Sequence, residues 1–220
     1  MKSVLHVSTG LENGGAEAVL YRLCRQDTLA NHHVVSLGGE GKYGPLLAQA
    51  GIEVTCLDLP RGRVGPRALA RLRDLILKAR PDVVQTWMYH ANLMGGIMAR
   101  LAGHRNVCWN IRQASLDTKL ISRSTRLVDR ACASLSSRVP RRIICCADRA
   151  RQLHEQRGYD ARRMMVIHNG YEFSTFKPAP AKAESLRMEL MLEHAQPVIG
   201  FVARFHPFKD HLNLLRALSE

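Results

Sequence analysis

The 220 residues carry 32 Lys and Arg against 19 Asp and Glu, a net charge of +13, and 46% of them are hydrophobic. That is the composition of an ordinary globular chain, and no run approaches the roughly 18 apolar residues that a membrane-spanning helix needs. The six cysteines (Cys24, Cys56, Cys108, Cys132, Cys145, Cys146) show no C-x-x-C and no metal-ligand spacing.

Several of those cysteines fall in predicted strands or on apolar helix faces, where a free thiol behaves as a small hydrophobe. A reducing cytosol is therefore the expected compartment. Met1-Lys2 is followed by an apolar segment of strand length, too short for a secretory signal. The charge is uneven: between Arg112 and Arg163 thirteen Lys and Arg face five acids. A local excess of that size suggests an anionic partner, and charge alone does not choose among phosphate groups, anionic lipid and nucleic acid.

Lys2 to Ser8 is short and apolar and reads as a buried strand. The loop Thr9 to Gly15 (T-G-L-E-N-G-G) follows, and a helix opens at Ala16-Glu17, with Val19, Leu20, Leu23 and Cys24 at helical spacing. A strand feeding a glycine-containing loop and a helix N-terminus is how open α/β sheets present backbone N–H groups to an anion. Gly14 and Gly15 carry no Cβ and allow positive φ and close approach, so this loop is expected to face a sugar or a phosphate.

Strands are predicted next at 33–37, 53–57, 82–86, 106–111, 142–146 and 164–168. Helices alternate with them at 43–50, at 66–80 with Pro66 as first residue, from the W-M-Y-H-A-N segment to Gly103, at 118–137 and at 147–157. The helix at 118–137 is expected to be the longest, with a buried stripe of Leu120, Ile121, Leu127, Val128, Ala131 and Leu135. Its Lys119, Arg123, Arg126 and Arg130 repeat on another face. Such regular alternation means a parallel sheet covered on both sides.

This Rossmann-like domain is expected to span residues 1–170, ending at an Asn169-Gly170 turn. Residues 171–196 read as a linker with a short helix, in which K-P-A-P is stiff and extended. A buried strand at Val198 to Ala203 and a helix at 209–219 then begin a second domain, 197–220. One β-α unit cannot cover both faces of its strand, so a truncated second domain is the expectation.

G-G-A-E at Gly14 to Glu17, D-V-V-Q-T-W after a helix ending in R-P, V-I-H-N-G-Y-E at Val166 to Glu172 and G-F-V-A-R-F-H-P-F-K-D at Gly200 to Asp210 resemble the family 4 glycosyltransferases of the GT-B fold, across the whole chain and in order. The resemblance implies two Rossmann-like domains across a cleft, the first binding the acceptor and the second the nucleotide sugar. It implies that Gly14 and Gly15 approach the donor, and that Arg204 and Lys209 grip its diphosphate. Growing negative charge on a leaving nucleoside diphosphate needs such fixed cations and N–H dipoles. By the same resemblance no cofactor beyond the nucleotide sugar and no metal is required, and transfer retains configuration.

Two departures follow. The family's glutamate pair in the second domain lies past Glu220, so this stretch alone is expected to be inactive. The family histidine after the fifth strand corresponds here to Arg112 in C-W-N-I-R-Q. A guanidinium holds a phosphate or hydroxyl but cannot act as a base near neutral pH. Either Arg112 takes an electrostatic part in catalysis, or the family position falls a residue or two away.

His90 and Asn92, after the fourth strand, are candidate acceptor ligands. Trp87 and Tyr89 could stack on a sugar ring or fill the core, and Glu17 could cap its own helix. The basic stripe fits docking on anionic lipid to reach a lipid-linked acceptor, at the inner face of a membrane, or an ordinary solvated helix face. The leading expectation is a sugar-transferring enzyme of polysaccharide or glycoconjugate synthesis. The alternative is a non-catalytic remnant that holds an acceptor or partner. A nucleic-acid binder is disfavoured because the arginines are not interleaved with exposed aromatics, and a dinucleotide oxidoreductase because the first loop is not G-x-G-x-x-G.

Overall fold

A computed structural model of the chain describes residues 1–60, 65–113, 121–174, 176–193 and 197–219. It divides into two units, Met1–Asn169 and Gly170–Glu220.

The first unit is built on β1 (Lys2–Ser8), β2 (Ala30–Ser36), β3 (Glu53–Cys56), β4 (Val83–Trp87), β5 (Val107–Ile111), β6 (Arg142–Cys145) and β7 (Met164–Val166). All pair in parallel, in the order β3-β2-β1-β4-β5-β6-β7. The order reverses beside β1, so β1 and β4 meet at the sheet's switch point, where open α/β sheets bind their ligands. The register Ser8↔Ser36, Ser8↔Trp87, Trp87↔Asn110 and Ile111↔Cys145 lines the carboxyl ends up along one edge.

The connecting helices are α1 (Gly15–Gln26), α2 (Tyr43–Gln49), α3 (Pro66–Ala79), α4 (Met88–Leu101), α5 (Arg123–Leu135) and α6 (Asp148–Gln156). Residues alternate along β1. Leu5 and Val7 join the core with Leu72, Ile76, Trp109, Cys132 and Ile143, whereas His6 turns to the opposite face. There Leu11, Leu20, Cys24, Val34, Leu47 and Trp87 form a second core under α1 and α2. A parallel sheet covered on both faces is the expected α/β arrangement.

Helix α4 lies unusually close to the sheet. A Cβ at Gly95 would press on Thr86 and Val7, and one at Gly96 would stand 2.6 Å from the indole nitrogen of Trp109. Two mid-helix glycines cost helix propensity, and here they make room for a buried tryptophan. At the far side, Asp129 on α5 is buried and accepts from Arg157 Nε (2.7 Å) and from the Tyr159 hydroxyl (2.9 Å). His154 Nδ1 donates to the Ala150 carbonyl, leaving Nε2 to accept from the Tyr89 hydroxyl at 2.8 Å. This network ties α4, α5 and α6 together with every named polar group partnered.

Some local expectations are corrected. β2 starts at Ala30 rather than at His33, because β1 offers Lys2 to Val4 as pairing partners for Ala30 to His32. Helix α5 opens at Arg123, where the Ser122 hydroxyl accepts from the Thr125 N–H (3.2 Å) and caps it. Part of the stretch predicted to precede it, Lys119 included, lies outside the described residues. Among the described residues the longest helices are α3 and α4, at 14 residues each, against 13 for α5. Of the predicted stripe Leu127 is 69% exposed, whereas Val128 and Leu135 pack half-buried on the core, and the fully buried positions of α5 are Asp129, Cys132 and Ala133.

The second unit holds α7 (Pro180–Glu189), a 3-10 turn at Pro207–Lys209 and α8 (His211–Ala217). Val198 to Ala203 forms no strand. A strand needs a neighbour for its backbone groups, and none stands among the described residues of this unit. Its apolar side chains are accordingly exposed, Val198, Ile199, Phe201 and Val202 among them.

Candidate functional site

The candidate site lies along the carboxyl edge of β1, β4, β5, β6 and β7. The helices that follow β1, β4 and β6 start on this edge with no side-chain cap at Gly14, Trp87 or Ala147. Their first N–H groups and dipoles therefore face the same rim with positive potential. Strand β4 passes into α4 without a loop, because Met88 takes φ +71° and turns the chain within one residue. For a non-glycine residue that conformation costs of order 1–3 kcal/mol and recurs at functional sites.

Arg112, the first residue after β5, is the centre of the rim. Its Nη1 donates to Asn169 Oδ1 (2.8 Å) and its Nη2 to Asn110 Oδ1 (3.3 Å). The guanidinium carbon stands 5.0 Å from the ring centre of Trp87, a cation–π contact. Its Nε is buried and has no hydrogen-bond partner among the described residues. Burial pulls the Arg112 pKa below its usual value, against a smaller upward pull from Cys146 and Cys145, yet a guanidinium stays charged near neutral pH.

Asn110 is itself oriented from below. Its Nδ2 donates to the Thr86 carbonyl (3.1 Å), the Thr86 hydroxyl donates to Asn92 Oδ1 (2.6 Å), and Asn92 Nδ2 donates to the Asn110 carbonyl (3.2 Å). This corrects the expectation for Asn92. It is fully buried and its amide is taken up by the strand ends, so it positions Asn110 and does not reach an acceptor. His90, in the first turn of α4, is half-buried, and burial lowers its pKa, favouring the neutral imidazole.

The aromatic candidates belong to the core. Trp87 is fully buried beneath Arg112, and the Tyr89 hydroxyl is bonded to His154.

In the first loop, neither Gly14 nor Gly15 has positive φ. Gly14 is extended (φ −134°) as the N-cap of α1, and the carboxylate of Glu17 folds back over it, where a Cβ would collide. Glu17 therefore lies over the helix start as its sequence position suggests. Gly15 faces open space. In the neighbouring β2–α2 loop Gly41, at φ +51°, has a steric reason to be glycine, because its Cβ would run into the Leu11 carbonyl. The Tyr43 N–H also donates to the Leu11 carbonyl (2.9 Å), and Lys42 Nζ to Asn13 Oδ1 (3.3 Å), so the β2–α2 loop braces the first loop. Sequence inspection missed Gly41, because its partner is the backbone of a residue thirty positions away.

Arg204 and Lys209 are exposed in the second unit, Lys209 closing the 3-10 turn with its N–H on the His206 carbonyl (2.8 Å). Phe201 and Phe205 both pack on the His211 ring, at 4.8 and 5.1 Å between ring centres.

Under β1, the ligand atoms of His6, Cys24 and His32 lie within 4.8 Å of one another. Their protons argue against a metal there. The Trp87 indole can only donate, and it donates to His6 Nδ1 (3.2 Å). The His6 proton is then on Nε2, which donates to His32 Nδ1 (2.9 Å). Burial pushes the Cys24 thiol up to about 12, so it stays protonated. All six cysteines are free, and no described helix is long and apolar enough to cross a membrane.

Comparison with known proteins places this geometry. The protein named "Putative glycosyltransferase EpsF" of Bacillus subtilis (strain 168) is 25% identical over 98% of this chain and 57% of its own length. The UDP-Gal:α-D-GlcNAc-diphosphoundecaprenol α-1,3-galactosyltransferase of Escherichia coli is 26% identical over 69% of the chain and 39% of its own. Among solved structures, Anabaena HepE in complex with UDP superposes with a TM-score of 0.81 at 23% identity, over 100% of this chain and 57% of that one. A glycosyltransferase from Rickettsia africae does so at 0.68 and 17%, over 99% of this chain and 57% of that one. The chain thus spans little more than half of the length of these structures. The Glycosyltransferase Family 4 model matches residues 13–174, from the first loop through the Asn169 turn, and the chain belongs to that family.

Proposed function

We propose that the full-length protein moves a sugar from a nucleotide-diphosphate donor to a saccharide or lipid-linked acceptor, with retention of configuration, and that residues 1–220 without the remaining donor-binding residues are inactive. The observation that carries this reading is the state of Arg112. A half-buried guanidinium held by two asparagines and a tryptophan face, whose buried Nε–H has no partner among the described residues, is a fixed cation waiting for an oxygen ligand. Leaving that donor unsatisfied costs about 1–3 kcal/mol, which a phosphate or sugar oxygen would return. In this reading Arg112 stabilises charge as the donor bond breaks and takes no proton.

Around it, Gly15 admits the transferred sugar at the open start of α1. Gly14 lies under the Glu17 carboxylate, which favours a hydroxyl over a phosphate at that point. Neutral His90 contacts an acceptor hydroxyl, and the assignment of Arg204 and Lys209 in the second unit to the donor diphosphate rests on the family resemblance of their motif. No cofactor and no metal are required. A uridine diphosphate sugar is the donor to try first, because the structural relative HepE was captured with UDP and with UDP-glucose. A polyprenyl-diphosphate acceptor is supported by the name of the Escherichia coli relative. Arg123, Arg126 and Arg130, with exposed Leu127 among them, would bring the enzyme to an anionic membrane carrying that acceptor.

The test is release of nucleoside diphosphate by the full-length protein, offered UDP-sugars with and without polyprenyl-diphosphate saccharides. Acceptor-dependent release that disappears in Arg112→Ala is expected. Release that is equal in Arg112→Ala would remove Arg112 from the reaction. Absence of transfer with every nucleotide sugar, in a protein that still folds, would overturn the reading.

A further inference from the structure

At the other end of the first unit's sheet, arginines from three connections converge. Arg100 closes α4 and Arg105 precedes β5; Arg138 and Arg141 lead into β6, which opens with Arg142; Arg163 precedes β7. Together they line an open cavity of about 460 Å³ floored by buried Val139 and Pro140. This is the amino end of β5, β6 and β7, whereas Arg112 and Asn169 stand beyond the carboxyl ends of β5 and β7.

Two of these guanidinia are held in place. Arg141 Nη1 donates to Asn106 Oδ1 (2.7 Å), and Arg163 donates to the Pro140 carbonyl while standing 3.6 Å from Asp160. Arg100, Arg105, Arg138 and Arg142 have no ion pair or hydrogen bond from their side chains among the described residues. The carboxylate at the rim, Asp160, is already shared with Arg162 at 3.2 Å. Six positive groups around one cavity repel one another, and a low-dielectric floor focuses their field on whatever enters.

We propose that this cavity binds phosphate groups, presented as a soluble di- or polyphosphate or as the phosphodiester of an anionic lipid. Guanidinium forks match phosphate oxygens in pairs. Four unpaired forks beside two braced ones exceed what a single carboxylate could occupy. A volume of this size accepts a diphosphate with room for its substituents. The cavity is a binding site rather than a second reaction centre, since among the described residues no histidine or nucleophile lines it and the one nearby carboxylate, Asp160, is held at its rim by arginines. The inference rests on this cluster alone and stands apart from the sugar-transfer reading.

The test titrates the full chain with inorganic pyrophosphate and, separately, pellets it with phosphatidylglycerol and with phosphatidylcholine vesicles. Arg105→Ala/Arg138→Ala removes two exposed side chains without fold partners, and Arg67→Ala and Arg71→Ala, at exposed positions of α3, serve as controls. Saturable pyrophosphate binding that weakens about tenfold or more in the cavity variant, and in neither control, identifies a soluble polyphosphate ligand. Phosphatidylglycerol pelleting that falls in the cavity variant alone, without pyrophosphate binding, identifies a lipid phosphodiester. The proposal is overturned if neither ligand binds, or if the cavity variant matches the unmodified chain in both measurements.

Discussion

Arg112 and Asn169 stand 57 residues apart in the chain, yet Nη1 of the first donates to Oδ1 of the second at 2.8 Å. The bond joins the end of β5 to the turn beyond β7 and fixes the guanidinium against Trp87. Removing Asn169 should therefore loosen a charge that stays in place. In the full-length protein, Arg112→Ala is expected to lower kcat about 10²–10³-fold, the usual cost of losing one charge-stabilising donor. Asn169→Ala should lower it about tenfold by misplacing that donor. Steady-state kinetics of the two single variants and the double variant check this. Additive losses would mean that the two residues act independently.

The glycine pair and Gly41 separate function from fold. Gly41→Ala forces a Cβ into the Leu11 carbonyl at a left-handed φ and should cost about 2 kcal/mol or more. Gly15→Ala meets nothing within 4 Å at a helix start. It should leave stability unchanged within about 1 kcal/mol while raising KM for the nucleotide sugar. Urea titration and kinetics on both variants decide the matter. A Gly15→Ala enzyme with unaltered kinetics would reduce the glycine pair to a turn.

Asp129 carries the α5–α6 junction. Asp129→Ala leaves Arg157 and the Tyr159 hydroxyl without their partner. A loss of about 3 kcal/mol is expected, at the low end for a broken buried pair because Arg157 is partly exposed. Asp129→Asn, which keeps an acceptor for the tyrosine, should cost less. Chemical denaturation of the two variants gives the comparison.

Burial, reinforced by the charges of His32 and His33, pushes His6 down to about 3 from an ordinary 6.5. Across that window the unfolded chain binds a proton that the folded one refuses. Stability should therefore fall as pH drops from about 6.5 towards 3, by at most about 1.4 kcal/mol per unit from this group. His33, His90 and His154 are also lowered by burial and act with the same sign. Denaturation midpoints followed from about pH 7 to about pH 4 should decline less steeply in His6→Asn, whose amide oxygen can still accept from Trp87.

The basic face of α5 makes a separate prediction. Arg123→Glu/Arg130→Glu should abolish pelleting with phosphatidylglycerol vesicles at low salt, and the unmodified protein should lose it progressively as salt rises. Equal pelleting of both proteins would return α5 to an ordinary solvated surface.

What the residues settle unaided is local and periodic. The alternation of apolar strand runs with amphipathic helices gives seven parallel strands. The order of the short motifs identifies the family, and the position of Arg112 after the fifth strand is read directly. What tertiary structure decides is which polar groups are already satisfied. Asn92 reads as an acceptor ligand in sequence because a residue just after a strand faces a ligand edge in such sheets, but Thr86 and Asn110 take up its amide below the rim. Val198 to Ala203 has the composition of a strand and forms none, because a strand exists only with a neighbour to bond to. Gly41, the Asp129 network and the six-arginine cavity depend on contacts between segments far apart in sequence, and no local pattern encodes which distant partner will arrive.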